Sequence, residues 1–162
     1  MNSVSPIKSR EKIKNMCKYL KLTNSRNYIL FLLGIYSGLR ISDILRLKVK
    51  NVKNKTHFEL REQKTGKIQR LIINDVLKKE LKVYCQSMDN EDYLIPSRML
   101  DKAGRQKPIT RQQAYNILKD LSDKFELENI ACHSMRKTFG FHYYQSTHDI
   151  ATLQKIFNHS SP

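Results

Sequence analysis

The sequence predicts a mainly helical domain (α+β) that carries one small antiparallel β-sheet. Three observations lead there. Apolar residues recur at helical spacing over several stretches. Between residues 57 and 73 the pattern changes to alternation, interrupted by Thr65-Gly66, which has turn chemistry. The 162 residues, 40% of them apolar, suffice for one core and argue against general disorder.

The first helix is expected over roughly 9–21, with Ile13, Met16, Cys17 and Leu20 on its apolar side. Thr23, Asn24 and Ser25 interrupt it and supply a cap for a second helix at about 25–37. That helix is apolar nearly all round from Tyr28 to Ile35, which marks it as the central core helix. Ser37-Gly38 ends it, and a short third helix is expected at about 42–47 with Ser42 as its N-cap. A short strand is expected near Asn51-Val52-Lys53, followed by a hairpin of 57–61 and 68–73. Helix returns at about 75–87, with Val76, Leu77, Leu81, Val83, Tyr84 and Cys85 as its apolar residues. Tyr93-Leu94-Ile95 before Pro96 reads as extended, and 97–109 as a polar basic loop. Thr110 caps a helix at about 111–125, and two more follow at about 134–146 and 149–157.

Charge narrows the partner. The chain has 30 Lys+Arg against 15 Asp+Glu, a formal net charge of +15. Solubility alone asks for a charge of at most roughly 8 in a small domain, so a polyanion, nucleic acid before membrane, is the expected partner. No apolar run reaches the roughly 20 residues that span a bilayer, and the start of the chain has no apolar signal core. Cys17, Cys85 and Cys132 are widely spaced and form no CxxC pair, so reduced, mostly buried thiols and a cytoplasmic location are expected. His133, His142, His148, His159 and Cys132 match no standard zinc spacing, and no carboxylate pair suggests a two-metal site. No metal or other cofactor is expected.

Four places carry chemistry. Gly38-Leu39-Arg40-Ile41-Ser42-Asp43 puts an arginine on a turn between a rigid helix and a new helix start. Lys64 lies in the hairpin turn Lys64-Thr65-Gly66-Lys67. His133 and Arg136 are three apart, so they share one face of a helix. Asn158-His159-Ser160-Ser161 follows the last helix.

In this order the four resemble the catalytic domain of the tyrosine recombinase (phage integrase) family, over nearly the whole chain. The resemblance implies a site-specific DNA recombinase that cleaves and rejoins strands through a 3′-phosphotyrosyl intermediate. By that resemblance Arg40 and Arg136 clamp the phosphate, and Lys64 protonates the leaving 5′-oxygen. His133 assists proton transfer, His159 donates to the phosphate, and Asp43 accepts hydrogen bonds and orients a neighbour. Lys48, Lys50, Lys67, Arg70, Arg105, Lys107, Arg111 and Lys137 are expected to contact double-stranded DNA. Lys67 is the alternative to Lys64, since hairpin register is hard to fix from sequence.

Two departures matter. The family usually has Gly where Asn158 stands. Its nucleophilic tyrosine normally follows the His-Ser-Ser segment, and none of the eight tyrosines here fits that position. Residues 1–162 are thus expected to be a catalytic domain without the usual N-terminal core-binding domain and the C-terminal tyrosine segment. Such a chain is expected to bind DNA without cleaving it alone. It should be monomeric without DNA, with higher-order assembly on DNA for a full-length protein. The competing reading is a non-catalytic DNA-binding accessory protein or a decayed integrase fragment.

Overall fold

A computed structural model describes residues 3–157. The helices follow the apolar periodicity. α1 (Arg10–Thr23) starts where Ser9 accepts a hydrogen bond from the Lys12 amide, and buries Met16 and Leu20. Asn24 ends it and caps α2 (Ser25–Ser37) through the Asn27 amide. α2 is the core: Ile29, Leu30 and Leu33 have no exposed surface. Burying such a side chain stabilises the fold by about 1.5–3 kcal/mol. α1, α3 (Ile41–Arg46), α4 (Asp75–Tyr84) and α6 (Cys132–Thr147) pack around it. α2 and α6 approach so closely at Gly34 that a Cβ there would lie 2.3 Å from Met135 Sδ.

Gly38, with φ 71°, turns the chain out of α2. α3 (Ile41–Arg46) follows at once. Its N-cap is Arg40, not Ser42, and no side chain caps it. The Arg40 carbonyl takes the first helical bonds, from the Asp43 and Ile44 amides, while the Arg40 side chain leaves in another direction. The strand expected at 51–53 is absent; a 3₁₀ turn (Val49–Asn51) stands there instead. Val49 and Val52, three apart, both face inward, which suits a 3₁₀ turn and not a strand. The neighbouring Leu47–Val49 stretch pairs with the extended piece at 92–94.

β1 (His57–Arg61) and β2 (Ile68–Ile72) form the hairpin, with Phe58 opposite Leu71 and Leu60 opposite Gln69 on the inner face. α4 (Asp75–Tyr84) ends three residues earlier than its apolar pattern suggests. Only Leu77, Leu81 and Cys85, four apart, are buried there; Val76 and Val83 face solvent. α5 (Arg111–Lys124) starts at a Thr110–Gln113 capping box. α6 (Cys132–Thr147) starts two residues earlier than expected, because Ser134 Oγ accepts the Ala131 amide and fastens the first turn. α7 (Ile150–Phe157) completes the described chain. The three cysteines are free thiols; Cys85 is buried, and Cys17 and Cys132 are half-buried. Among the described residues no helix is long and apolar enough to cross a membrane.

Candidate phosphate-binding site

Three elements deliver the basic side chains: the α2–α3 turn, the hairpin tip and the first turns of α6. Arg136 is the most enclosed, with 5% of its surface exposed. Its Nη1 donates to the Gly38 carbonyl and its Nη2 to the Phe157 carbonyl at 3.1 Å. The guanidinium carbon lies 4.1 Å from the centre of the Phe157 ring. Burial, then the charge of Arg40, push its pKa down to about 10, against the opposing pull of Glu62 and Asp43. It stays protonated at neutral pH, held on a rigid helix and stacked from one side.

Arg40 is half-buried, and its Nη1 donates to Glu62 in an ion pair. The Glu62 side chain is 1% exposed. Asp43, 2% exposed, binds the opposite side of the same junction. Its Oδ1 accepts from Arg46 at 2.6 Å and from the Gln63 amide at 3.0 Å. Its Oδ2 has no hydrogen-bond partner among the described residues. Asp43 therefore ties α3 to the residue just before Lys64.

Lys64 is exposed at the hairpin turn, which closes through Glu62 N–H to Lys67 O and Gly66 N–H to Glu62 O. His133, in the first turn of α6, is open to solvent at its edge. Its pKa lies below the ordinary histidine value. Partial desolvation is the largest cause, followed by the charges of Arg136, Lys137, Arg40 and Lys64. Arg40, Lys64 and Arg136, distant in sequence, thus all act on one imidazole. The hairpin contributes Lys64 to that set. His159 lies outside the described residues, as does Asn158.

The wider set of basic residues divides. Lys48 and Lys50 both pair with Glu91, at 3.3 and 2.8 Å, and Lys48 also lies over Tyr93. Arg70 pairs with Glu59 across the sheet and Arg105 with Asp101 in its loop. Lys137 donates to Ser3 Oγ and to the Val4 carbonyl, so it fastens the N-terminal segment to α6. Lys67 and Lys107 are exposed. Arg111, also exposed, opens α5 and acts electrostatically on the Cys132 thiol, next to His133.

Glu62 and Gln69 were missed in the sequence. Both obey the alternation of their strands: Glu62 continues the inward set Phe58 and Leu60, and Gln69 precedes inward Leu71. Gln69 donates its amide to the Ile156 carbonyl and so joins the hairpin to the end of α7. A buried polar residue on the apolar face of a hairpin was the available signal. Tyr143 stacks on Phe139, and Tyr84 donates to the Leu94 carbonyl.

The arrangement sets two guanidinium groups, each held by hydrogen bonds, and an exposed ammonium within electrostatic reach of one imidazole. Planar donors on a rigid frame suit a tetrahedral oxyanion such as a phosphate. Comparison with known proteins agrees in fold. The model of the phage integrase family matches residues 8–162. The chain is 48% identical over 162 residues to the probable integrase/recombinase YoeC of Bacillus subtilis (strain 168), covering all of this chain and 87% of YoeC. The crystal structure of XerA recombinase superposes with a TM-score of 0.77 at 22% identity, covering 99% of this chain and 58% of that one. The XerH site-specific recombinase bound to its difH substrate gives 0.74 at 16%, covering 99% and 49%. The chain therefore spans about half the length of these solved recombinases. With a family match over 8–162 and the YoeC relative at 48% identity, the chain belongs to the phage integrase family of tyrosine recombinases.

Proposed function

We propose that residues 1–162 hold one scissile phosphate of double-stranded DNA for strand cleavage and rejoining. The observation that carries this reading is the convergence of Arg40, Lys64 and Arg136 on His133. Arg40 and Arg136 bind the non-bridging oxygens, where negative charge grows in the transition state. Lys64, on an exposed turn, reaches the leaving 5′-oxygen and protonates it. His133, whose pKa is pushed below the ordinary histidine value by desolvation and the neighbouring cations, accepts the proton of the attacking hydroxyl. His159 donates to the same phosphate. The attacking hydroxyl belongs to a tyrosine that is none of the eight in this sequence, and its phosphodiester bond to DNA conserves the energy for religation. Lys67, Lys107 and Arg111 track the backbone on either side. Lys48, Lys50, Arg70 and Arg105 do so after exchanging their carboxylate partners for phosphates.

A duplex of about twenty base pairs, titrated at rising NaCl and then run on a denaturing gel, tests this reading. Binding should weaken steeply with salt, with no covalent adduct. Salt-insensitive binding overturns the DNA reading. An adduct formed by this chain overturns the placement of the nucleophile and turns attention to its own tyrosines.

A further inference from the structure

We propose that Glu62 is a positioning residue that sets the direction of the Arg40 guanidinium and locks the Lys64 turn to it. The proposal rests on the phosphate reading above. Arg40 alone cannot define a donor direction. It sits at the N-cap of α3, and its side chain makes no capping bond to the helix. The constraint comes from Glu62, whose carboxylate is almost wholly removed from water and receives Arg40 Nη1. One edge of the guanidinium is thereby occupied. The remaining N–H groups are left in a fixed plane.

The same carboxylate is part of the hairpin turn. Thr65 Oγ1 donates to it at 3.4 Å, and the Glu62 backbone accepts from Gly66 and donates to Lys67. The residue before Lys64 is held from the other side, by Asp43 Oδ1 on the Gln63 amide. The strap is reciprocal: the hairpin sends a carboxylate to the α2–α3 turn, and α3 sends one back. Lys64 directly follows both anchors, so the hairpin turn that carries it is tied to the α2–α3 junction.

An alternative account treats Glu62 as simple charge balance for Arg40 and Arg136. The two accounts differ in sign. If Glu62 only balances charge, replacing it by glutamine raises local positive potential and tightens anion binding. If it positions Arg40, the same change weakens anion binding although the chain loses one negative charge.

The experiment uses inorganic phosphate as probe on the whole chain, followed by NMR of arginine side-chain nitrogens and histidine rings. Phosphate should shift Arg40 and His133 together in the unaltered chain, and Glu62→Gln should bind it about tenfold more weakly. Equal or tighter binding by Glu62→Gln overturns the positioning role. A second readout needs neither phosphate nor a variant: rotation of the Arg40 guanidinium should be slow in the unaltered chain. Free rotation overturns the proposal even where Glu62→Gln fails to fold. Slow rotation without any phosphate-induced shift upholds the strap and overturns the phosphate reading instead.

Discussion

Gly38→Ala strains the fold at the place where it meets the site. Gly38 and Gly66 both have φ 71°, so alanine is strained by the left-handed backbone at either position. That shared cost is about 1 kcal/mol. The surroundings differ. A Cβ on Gly66 meets nothing within 4 Å, whereas one on Gly38 comes 2.5 Å from Phe139 Cδ1 and 3.0 Å from Phe157 Cε1. Relieving such overlap costs a further 1–3 kcal/mol, roughly, in a packed region. Gly38→Ala should therefore destabilise by about 2–4 kcal/mol and Gly66→Ala by about 1 kcal/mol. The Gly38 carbonyl accepts from Arg136, and Phe157 stacks on the same guanidinium, so the first variant should also lose phosphate binding. Urea unfolding at pH 7 gives both free energies. Equal losses for the two variants would refute the packing assigned to Gly38.

Other consequences follow from the same contacts. Arg136→Lys keeps a charge but cannot serve both the Gly38 and Phe157 carbonyls with a planar fork; unfolding should show a loss of about 1–3 kcal/mol. Phe58→Ala empties a fully buried position under the hairpin and should cost about 3–5 kcal/mol by the same assay. NMR titration should place the pKa of His133 below 6.5, and Arg136→Ala should raise it, since Arg136 is the leading charge acting on it. The unfolded chain then binds the extra proton first. The His133 contribution to stability is therefore unfavourable at low pH and disappears as pH rises through the folded and then the unfolded pKa. A His133 pKa at or above the ordinary value would contradict the basic surround.

Most of the fold was legible because its elements are set by local apolar spacing. α2 spans the expected 25–37, and the hairpin lies where alternation replaces the helical period. The misreadings have local causes. Ser42 looked like an N-cap by residue type, but the turn out of Gly38 brings the helix start forward to Arg40. A short strand is expected near Asn51-Val52-Lys53, yet Val52 is buried together with Val49 three residues before it, a spacing that suits a 3₁₀ turn. The arginines, His133 and Lys64 form a set by resemblance, and the charges of Arg40, Lys64 and Arg136 reach His133 only through the fold, which no sequence spacing shows. Glu62 was overlooked because an acid in a basic hairpin reads as solvated until strand parity is followed past Arg61. Lys137, expected to contact DNA, donates its ammonium to the Ser3 hydroxyl and the Val4 carbonyl, a tertiary contact that no sequence spacing shows.

The central claim is that Arg40, Lys64, His133 and Arg136 serve one phosphate. A structure of the chain with a short DNA duplex tests it most directly, through the distances from each side chain to the nearest phosphorus. A single phosphate should have both guanidinium groups in hydrogen-bonding contact, Lys64 at its 5′-bridging oxygen and His133 beside it. Two arginines on separate phosphates, or a duplex bound away from the α2–α3 turn, would contradict it.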